Sequence, residues 1–189
     1  MHMEIGEILD NIYPLSDLSK EKLISHISEV VLPKRHLLIK NDRIEHKLYF
    51  VKKGIVRAYT TKDDTEITFW FGKEGDTVVS MNSYINQQFG YENIELLEDC
   101  TLYALSSSRL QELFTQDIEV ANWGRKFAEL ELIKTESQFI NRQLRSAKER
   151  YEELLSTKPD LINRVQVGHI ASYLGITPVS LSRIRAQLK

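Results

Sequence analysis

The side chains that most often carry chemistry are few in this sequence and badly spaced for it. The five histidines, His2, His26, His36, His46 and His169, form neither an H-x-H nor an H-E-x-x-H pattern, the spacings that let imidazoles converge on one metal ion. Cys100 is the only cysteine, so one chain can hold neither an internal disulfide nor a cysteine-ligated iron–sulfur cluster. It reads as a small core residue, with a redox-sensing thiol as the alternative. No phosphate-cradling glycine loop and no Ser/His/Asp arrangement is present. These features argue against an enzyme, and no cofactor or metal is expected. What remains is recognition chemistry in residues 165–189, VQVGHIASYLGITPVSLSRIRAQLK. The planar fork of Arg183 can bridge guanine O6 and N7, Ser180 can reach a base edge or a phosphate, and Pro178 and Val179 offer apolar contact to a thymine methyl. Arg164, Gln166 and Arg185 suit phosphates, which position a protein on a duplex without specifying sequence.

Those residues work only on a helix-turn-helix, and the spacing supplies one. Ile170, Leu174, Ile176, Leu181, Ile184 and Leu188 are placed to meet in one small core, with Ala171 at a close helix crossing. Gly175 is free to take the positive φ of a helix exit, Thr177 is a good N-cap, and Pro178 suits a first helical turn. The second helix is then the one that enters a major groove. Charge supports this reading. Residues 141–189 carry nine Lys/Arg against four Asp/Glu, a balance of +5, while the remainder carries 16 against 23, or −7.

Upstream, the period of the apolar residues changes twice. Residues 4–28 read as two helical pieces interrupted near Tyr13-Pro14, the second capped by Ser19. Short β-branched and aromatic runs follow at 29–32, 36–40, 47–52, 55–61, 66–71, 77–80, 91–97 and 101–106, separated by turn signals, which argues for an antiparallel barrel or jelly roll. Residues 81–90 read as a short helix and loop. A short helix covers 108–114, and a longer one runs from 117 to about 137. Its apolar residues form two stripes, Ile118, Ala121, Ala128 and Leu132 on one side, and Val120, Trp123, Phe127, Leu130 and Ile133 on the other. A helix that is apolar on two sides needs two partners, the β-domain and the same helix of a second copy; one broad core face is the alternative. Ile118, Ala121, Arg125, Ala128 and Leu132 are the expected dimer face. Residues 139–156 form a further amphipathic helix ended by Lys158-Pro159. The fold class is therefore α+β, with a β-roll over 1–116, a dimerisation helix over 117–138 and a helix-turn-helix domain over 139–189. No apolar run is long enough to span a membrane and no signal peptide is evident, so a cytoplasmic protein is expected.

This order of elements resembles the Crp/Fnr family of bacterial transcription regulators. The resemblance rests on LYFVKKGIVRAYT (48–60), TEITFWFGKEGD (65–76), CTLYALSSSRLQELF (100–114) and RVQVGHIASYLGITPVSLSRIR (164–185). It implies a homodimer on a palindromic DNA operator, contact with RNA polymerase, and a β-roll that senses a small-molecule effector. It places Pro178, Val179 and Arg183 at base-contacting positions. Two departures matter. Cyclic-nucleotide-binding members carry a Gly-Glu pair and then an Arg followed by Ser or Thr; here the matching positions are Val79-Ser80 and Tyr91-Glu92. Losing the Arg–phosphate pair and gaining the Glu92 carboxylate costs at least a few kcal/mol, so a response to cyclic AMP is not expected. Ser80, Met81, Ser83, Tyr84, Tyr91, Glu92 and Asn93 either line a changed effector pocket or fill the interior of the roll. Many members also continue into a β-wing, whereas this sequence stops just after the second helix, which leaves fewer backbone contacts to DNA. A small-molecule-binding roll without DNA binding is the alternative function.

Overall fold

A computed structural model describes residues 2–188; Lys189, counted above among the C-terminal basic residues, lies outside the described residues. Two helices open the chain, α1 (Ile5–Ile12) and α2 (Asp17–Ile24). The cap of α2 is Ser16, whose side chain accepts the Ser19 N–H, and not Ser19 as the sequence suggested. The Ser19 hydroxyl instead donates to Asp117 at 3.0 Å.

Eight strands follow: β1 (Ile27–Leu32), β2 (Leu37–Ile39), β3 (Lys47–Lys53), β4 (Val56–Lys62), β5 (Thr65–Gly72), β6 (Thr77–Val78), β7 (Asn93–Leu96) and β8 (Cys100–Ser106). They form two antiparallel four-stranded sheets, in the orders β1-β8-β3-β6 and β2-β7-β4-β5, which is the expected roll. Strands β4 and β5 are joined by Asp63 and Asp64, both at positive φ (49° and 56°), the signature of a tight hairpin turn. At Gly54, where φ is +119°, a Cβ would lie 2.3 Å from the Cys100 sulfur, so the turn before β4 and the packing of β8 require glycine together. Between the sheets Val51, Val56, Val78, Leu96 and Leu102 make a buried apolar core. The helix α3 (Met81–Asn86) fills the gap between β6 and β7.

After β8 the chain forms α4 (Ser107–Gln116) and the long helix α5 (Ile118–Leu144). Asp117 caps α5 by accepting the N–H groups of Glu119 and Val120. The first half of α5 is anchored on the roll and the N-terminal helices. Trp123 is fully buried, donates Nε1–H to the Leu9 carbonyl at 3.0 Å, stacks on Phe127 and meets Phe50 edge-on. Beyond Phe127 the helix leaves the body. Leu132, Ile133, Phe139, Ile140 and Leu144 are all exposed, so the second of the two apolar stripes stops being buried halfway along.

Helix α5 continues to Leu144, past the boundary expected near 138, because nothing between 138 and 144 breaks it. The break comes at Arg145, where Ser146 and Glu149 form a reciprocal capping box that starts α6 (Ala147–Thr157). Three short helices complete the chain: α7 (Pro159–Arg164), α8 (Val167–Leu174) and α9 (Pro178–Gln187).

Candidate nucleic-acid interface

Helices α8 and α9 are joined as the sequence requires. Gly175 takes φ +67° and closes α8, and Thr177 caps α9 by accepting the Ser180 N–H, with Pro178 in the first turn. Ile170, Ala171, Leu174 and Leu181 are buried between the helices together with Tyr151 and Leu154 of α6. Leu188, expected in this core, is instead exposed, because α9 ends at Gln187 and Leu188 follows as its cap. The face of α9 turned away from the core holds Pro178, Val179, Ser182 and Arg183, all exposed, with Ser180 partly buried. Ser180 shares a 3.0 Å hydrogen bond with the capping Thr177 hydroxyl, and the Ser182 hydroxyl donates to the Pro178 carbonyl. Among the described residues the Arg183 guanidinium has no ion pair or hydrogen bond, so it projects free from the middle of the helix.

The three residues assigned to phosphates have different surroundings. Gln166 is exposed at the start of α8. Arg185 lies over the Tyr151 ring and donates Nε–H to its hydroxyl at 3.0 Å, which fixes α9 to α6. Arg164 clamps the β-roll. It pairs with Glu74 through two hydrogen bonds and also with Glu98. Burial by itself would raise the Glu74 carboxyl, but the Arg164 hydrogen bonds and the Gly54 N–H outweigh it and pull the group down to about 2.

The helix-turn-helix is joined to the roll by more than that clamp. The Thr68 N–H donates to the Ser172 hydroxyl at 2.9 Å, and that hydroxyl donates to the Glu66 carbonyl at 2.8 Å, so α8 borrows one hydrogen-bonding position of strand β5. Phe71 packs on Tyr173 with ring centroids 5.4 Å apart, and Ile55 and Phe71 share one core with α6–α9. Beneath this contact lies Arg57, which was not singled out in the sequence. It is 1% exposed and donates to Thr68, Glu95 and Glu66 at 2.8, 2.6 and 2.5 Å. A lone arginine in an alternating strand looks like a surface residue; only the two carboxylates that β7 and β5 bring to it mark it as interior. Burial and the neighbouring Arg57 guanidinium hold the His169 imidazole below its usual range, so it is neutral at neutral pH.

The residues assigned to an effector pocket do not all converge. Ser80 and Ser83 are buried, whereas Met81 and Tyr91 are exposed, Tyr91 lying against Phe69. The Tyr84 hydroxyl accepts a hydrogen bond from Gln111, and Asn93 accepts the Asn41 N–H. Ser80 and Glu92 do meet, on either side of Gly90: a Cβ there would lie 2.5 Å from the Ser80 hydroxyl and 2.8 Å from a Glu92 oxygen. Glu92 is 5% exposed and accepts the Tyr91 N–H, while the Ser80 hydroxyl has no partner. The exposed Tyr91 therefore occupies the place where the resemblance puts a phosphate-binding arginine, and a buried carboxylate, Glu92, follows it where the resemblance puts Ser or Thr.

Residues 29–117 match the cyclic nucleotide-binding domain family. No curated protein sequence matches the chain. Among solved structures, FixK2 from Bradyrhizobium japonicum superposes with a TM-score of 0.73 at 23% identity, over 86% of this chain and 84% of that one. The c-di-GMP-responsive global regulator CLP from Xanthomonas campestris gives 0.68 at 18%, over 92% and 91%. A protein described as a transcriptional regulator of the Crp/Fnr family, from Eubacterium rectale, gives 0.71 at 17%, over 94% and 87%. Residues 29–117 are thus similar to the cyclic nucleotide-binding domain family, and the chain shares its fold with FixK2 and with the Crp/Fnr-family regulator from Eubacterium rectale.

Proposed function

We propose that this protein is a dimeric, sequence-specific DNA-binding transcription regulator of the Crp/Fnr type whose β-roll does not answer to cyclic AMP. The observation that carries the reading is the outward face of α9, where Arg183 stands free between exposed Pro178, Val179 and Ser182 on a correctly capped helix-turn-helix. A guanidinium in that position reads guanine in the major groove. The second copy is supplied through α5. Ile118, Arg125, Leu132 and Phe139 recur every seven residues with Ala121 and Ala128 between them, and the apolar members Ile118, Leu132 and Phe139 are exposed. A two-fold dimer then demands a palindrome with half-sites about one helical turn apart. The buried Glu92 supports the exclusion of cyclic AMP, since a phosphate there would meet a carboxylate.

The test is selection of a binding site from random duplexes, followed by fluorescence anisotropy. Arg183→Ala is expected to weaken the selected site by about 1–3 kcal/mol while leaving random DNA nearly unaffected. Equal loss on both would remove the base-reading role. A well-folded dimer with no salt-dependent affinity for DNA would favour a small-molecule-binding roll, for which the unpartnered Ser80 hydroxyl is the one buried group in the expected pocket that lacks a partner.

A further inference from the structure

A cleft of about 320 Å³ lies between the roll and the helix-turn-helix, at the small end of the range of ligand pockets. Arg57, Glu66 and Glu95 of the roll line it, with His169 of α8 and with Lys34 and Arg35 in the turn between β1 and β2. Its charges balance, but they are unevenly committed. Arg57 sets one positive charge between two carboxylates, which leaves a surplus negative charge around it. Glu66 gives Arg57 its Oε2 at 2.5 Å and Glu95 its Oε1 at 2.6 Å; among the described residues the second oxygen of each accepts no hydrogen bond. Arg164 also sits between two carboxylates, but there all four oxygens of Glu74 and Glu98 accept from its guanidinium. Lys34 and Arg35 are exposed, and neither side chain makes an ion pair or hydrogen bond among the described residues. One cleft thus holds two spare cations and two spare carboxylate oxygens that do not pair with one another.

Both halves of this arrangement are held in place by the fold. The Lys34 N–H donates to Asp99 at 2.8 Å and the Arg35 N–H to the Leu96 carbonyl at 2.8 Å, which sets the turn beside Glu95 at the end of β7. Arg35 sits at φ +68°, a left-handed conformation that a long side chain adopts only when its surroundings insist on it. Across the cleft Arg57, 1% exposed, fixes Glu66 and Glu95 from beneath. His169, held neutral by burial and by Arg57, offers the cleft a hydrogen-bonding group without a charge.

We propose that this cleft binds a free amino acid, whose ammonium is held by the spare oxygens of Glu66 and Glu95 and whose carboxylate is held by Lys34 and Arg35. A simple anion at the two cations meets the surplus charge of the carboxylates, and a simple cation at the carboxylates meets Lys34 and Arg35. A small zwitterion satisfies both and leaves the balance of the cleft unchanged, with each of its charges in charge-assisted hydrogen bonds. The ligand touches the roll on one side and α8 on the other. Its role as an effector of the helix-turn-helix rests on the DNA-binding reading above, whereas the site itself rests on the cleft alone.

The test is a thermal-shift screen of the full chain against the proteinogenic L-amino acids, followed by calorimetric titration of those that stabilise it. At least one is expected to raise Tm by several degrees near saturation. N-acetylation of that amino acid removes its ammonium and amidation removes its carboxylate, and each should weaken binding at least about tenfold. A Lys34→Gln, Arg35→Asn variant, with asparagine chosen because it tolerates positive φ, should lose as much for the amino acid. It should lose nothing further for the amide, which already lacks the group the two cations hold. The site is overturned if no amino acid stabilises the chain, if either derivative binds as well as its parent, or if the variant binds the amino acid unchanged. DNA affinity measured on the same samples separates the two readings. A chain that binds the amino acid but no DNA keeps the site and loses the regulator, and one that reads DNA but binds no amino acid does the reverse.

Discussion

Arg164 illustrates how one side chain changes meaning when its neighbours are known. In sequence it is one more cation in a basic segment; in the fold it ties the end of α7 to Glu74 and Glu98 of the roll. The pairing has a pH signature. Glu74 is held down to about 2 in the folded protein against an ordinary 4.5. A depressed carboxyl contributes stability that is fully present above its unfolded value and is lost as pH falls through the folded one. The protein is therefore expected to lose at most about 3 kcal/mol from this group between pH ~4.5 and ~2. Glu74→Gln should be less stable at pH 7 and show a flatter acid limb in urea unfolding; an unaltered limb would show that Glu74 does not titrate with folding. Arg57 is the companion case. Its three hydrogen bonds satisfy a guanidinium that the core could not otherwise hold.

At the scale of elements, α5 does two jobs in sequence. Its first half is a core helix, since Val120, Trp123 and Phe127 are buried. Its second half presents apolar side chains to solvent, an arrangement that costs free energy until something covers them. The exposed stripe extends to Phe139 and Ile140, beyond the face expected from residues 117–138, because the helix itself extends to Leu144. Leu132→Glu with Phe139→Glu should convert the proposed dimer to a monomer. Each buried side chain of this kind is worth about 1.5–3 kcal/mol, so the dissociation constant should rise at least a hundredfold in sedimentation equilibrium. Both positions are exposed in the single chain, at 69% and 64%, so the monomer should keep its fold. A dimer that persists would place the interface on another element.

Across the whole molecule, the helix-turn-helix and the roll share one hydrophobic core and a bridging Ser172 hydroxyl, so a change in β5 is transmitted to α8 by direct contact. Glu95 of β7, three residues beyond Glu92, is joined to Glu66 of β5 through Arg57, and β5 in turn contacts α8. Cyclic AMP is not expected to use that route. A ligand held a hundredfold above its dissociation constant stabilises a fold by about 2.7 kcal/mol, which appears as a rise of several degrees in Tm. Millimolar cyclic AMP should produce no such rise in a thermal-shift assay, and a clear rise would mean that Glu92 yields to the phosphate.

The amino-acid sequence alone determined most of the elements and their order, but not helix α7 or the end of α5 at Leu144. Strand periodicity, the turn residues, and the Gly175–Thr177–Pro178 punctuation act over a few residues, and local sterics and hydrogen bonding suffice to read them. The outward face of α9, with Arg183 on it, follows from helical spacing in the same way. Only the tertiary structure decided which charges are spent and which are free. Arg164 and Arg57 are consumed by carboxylates distant in the chain, while Lys34 and Arg35 remain unpaired beside α8. Charge pairing of this kind depends on distances between strands and helices far apart in sequence, and the Coulomb interaction falls away within a few ångströms of solvent.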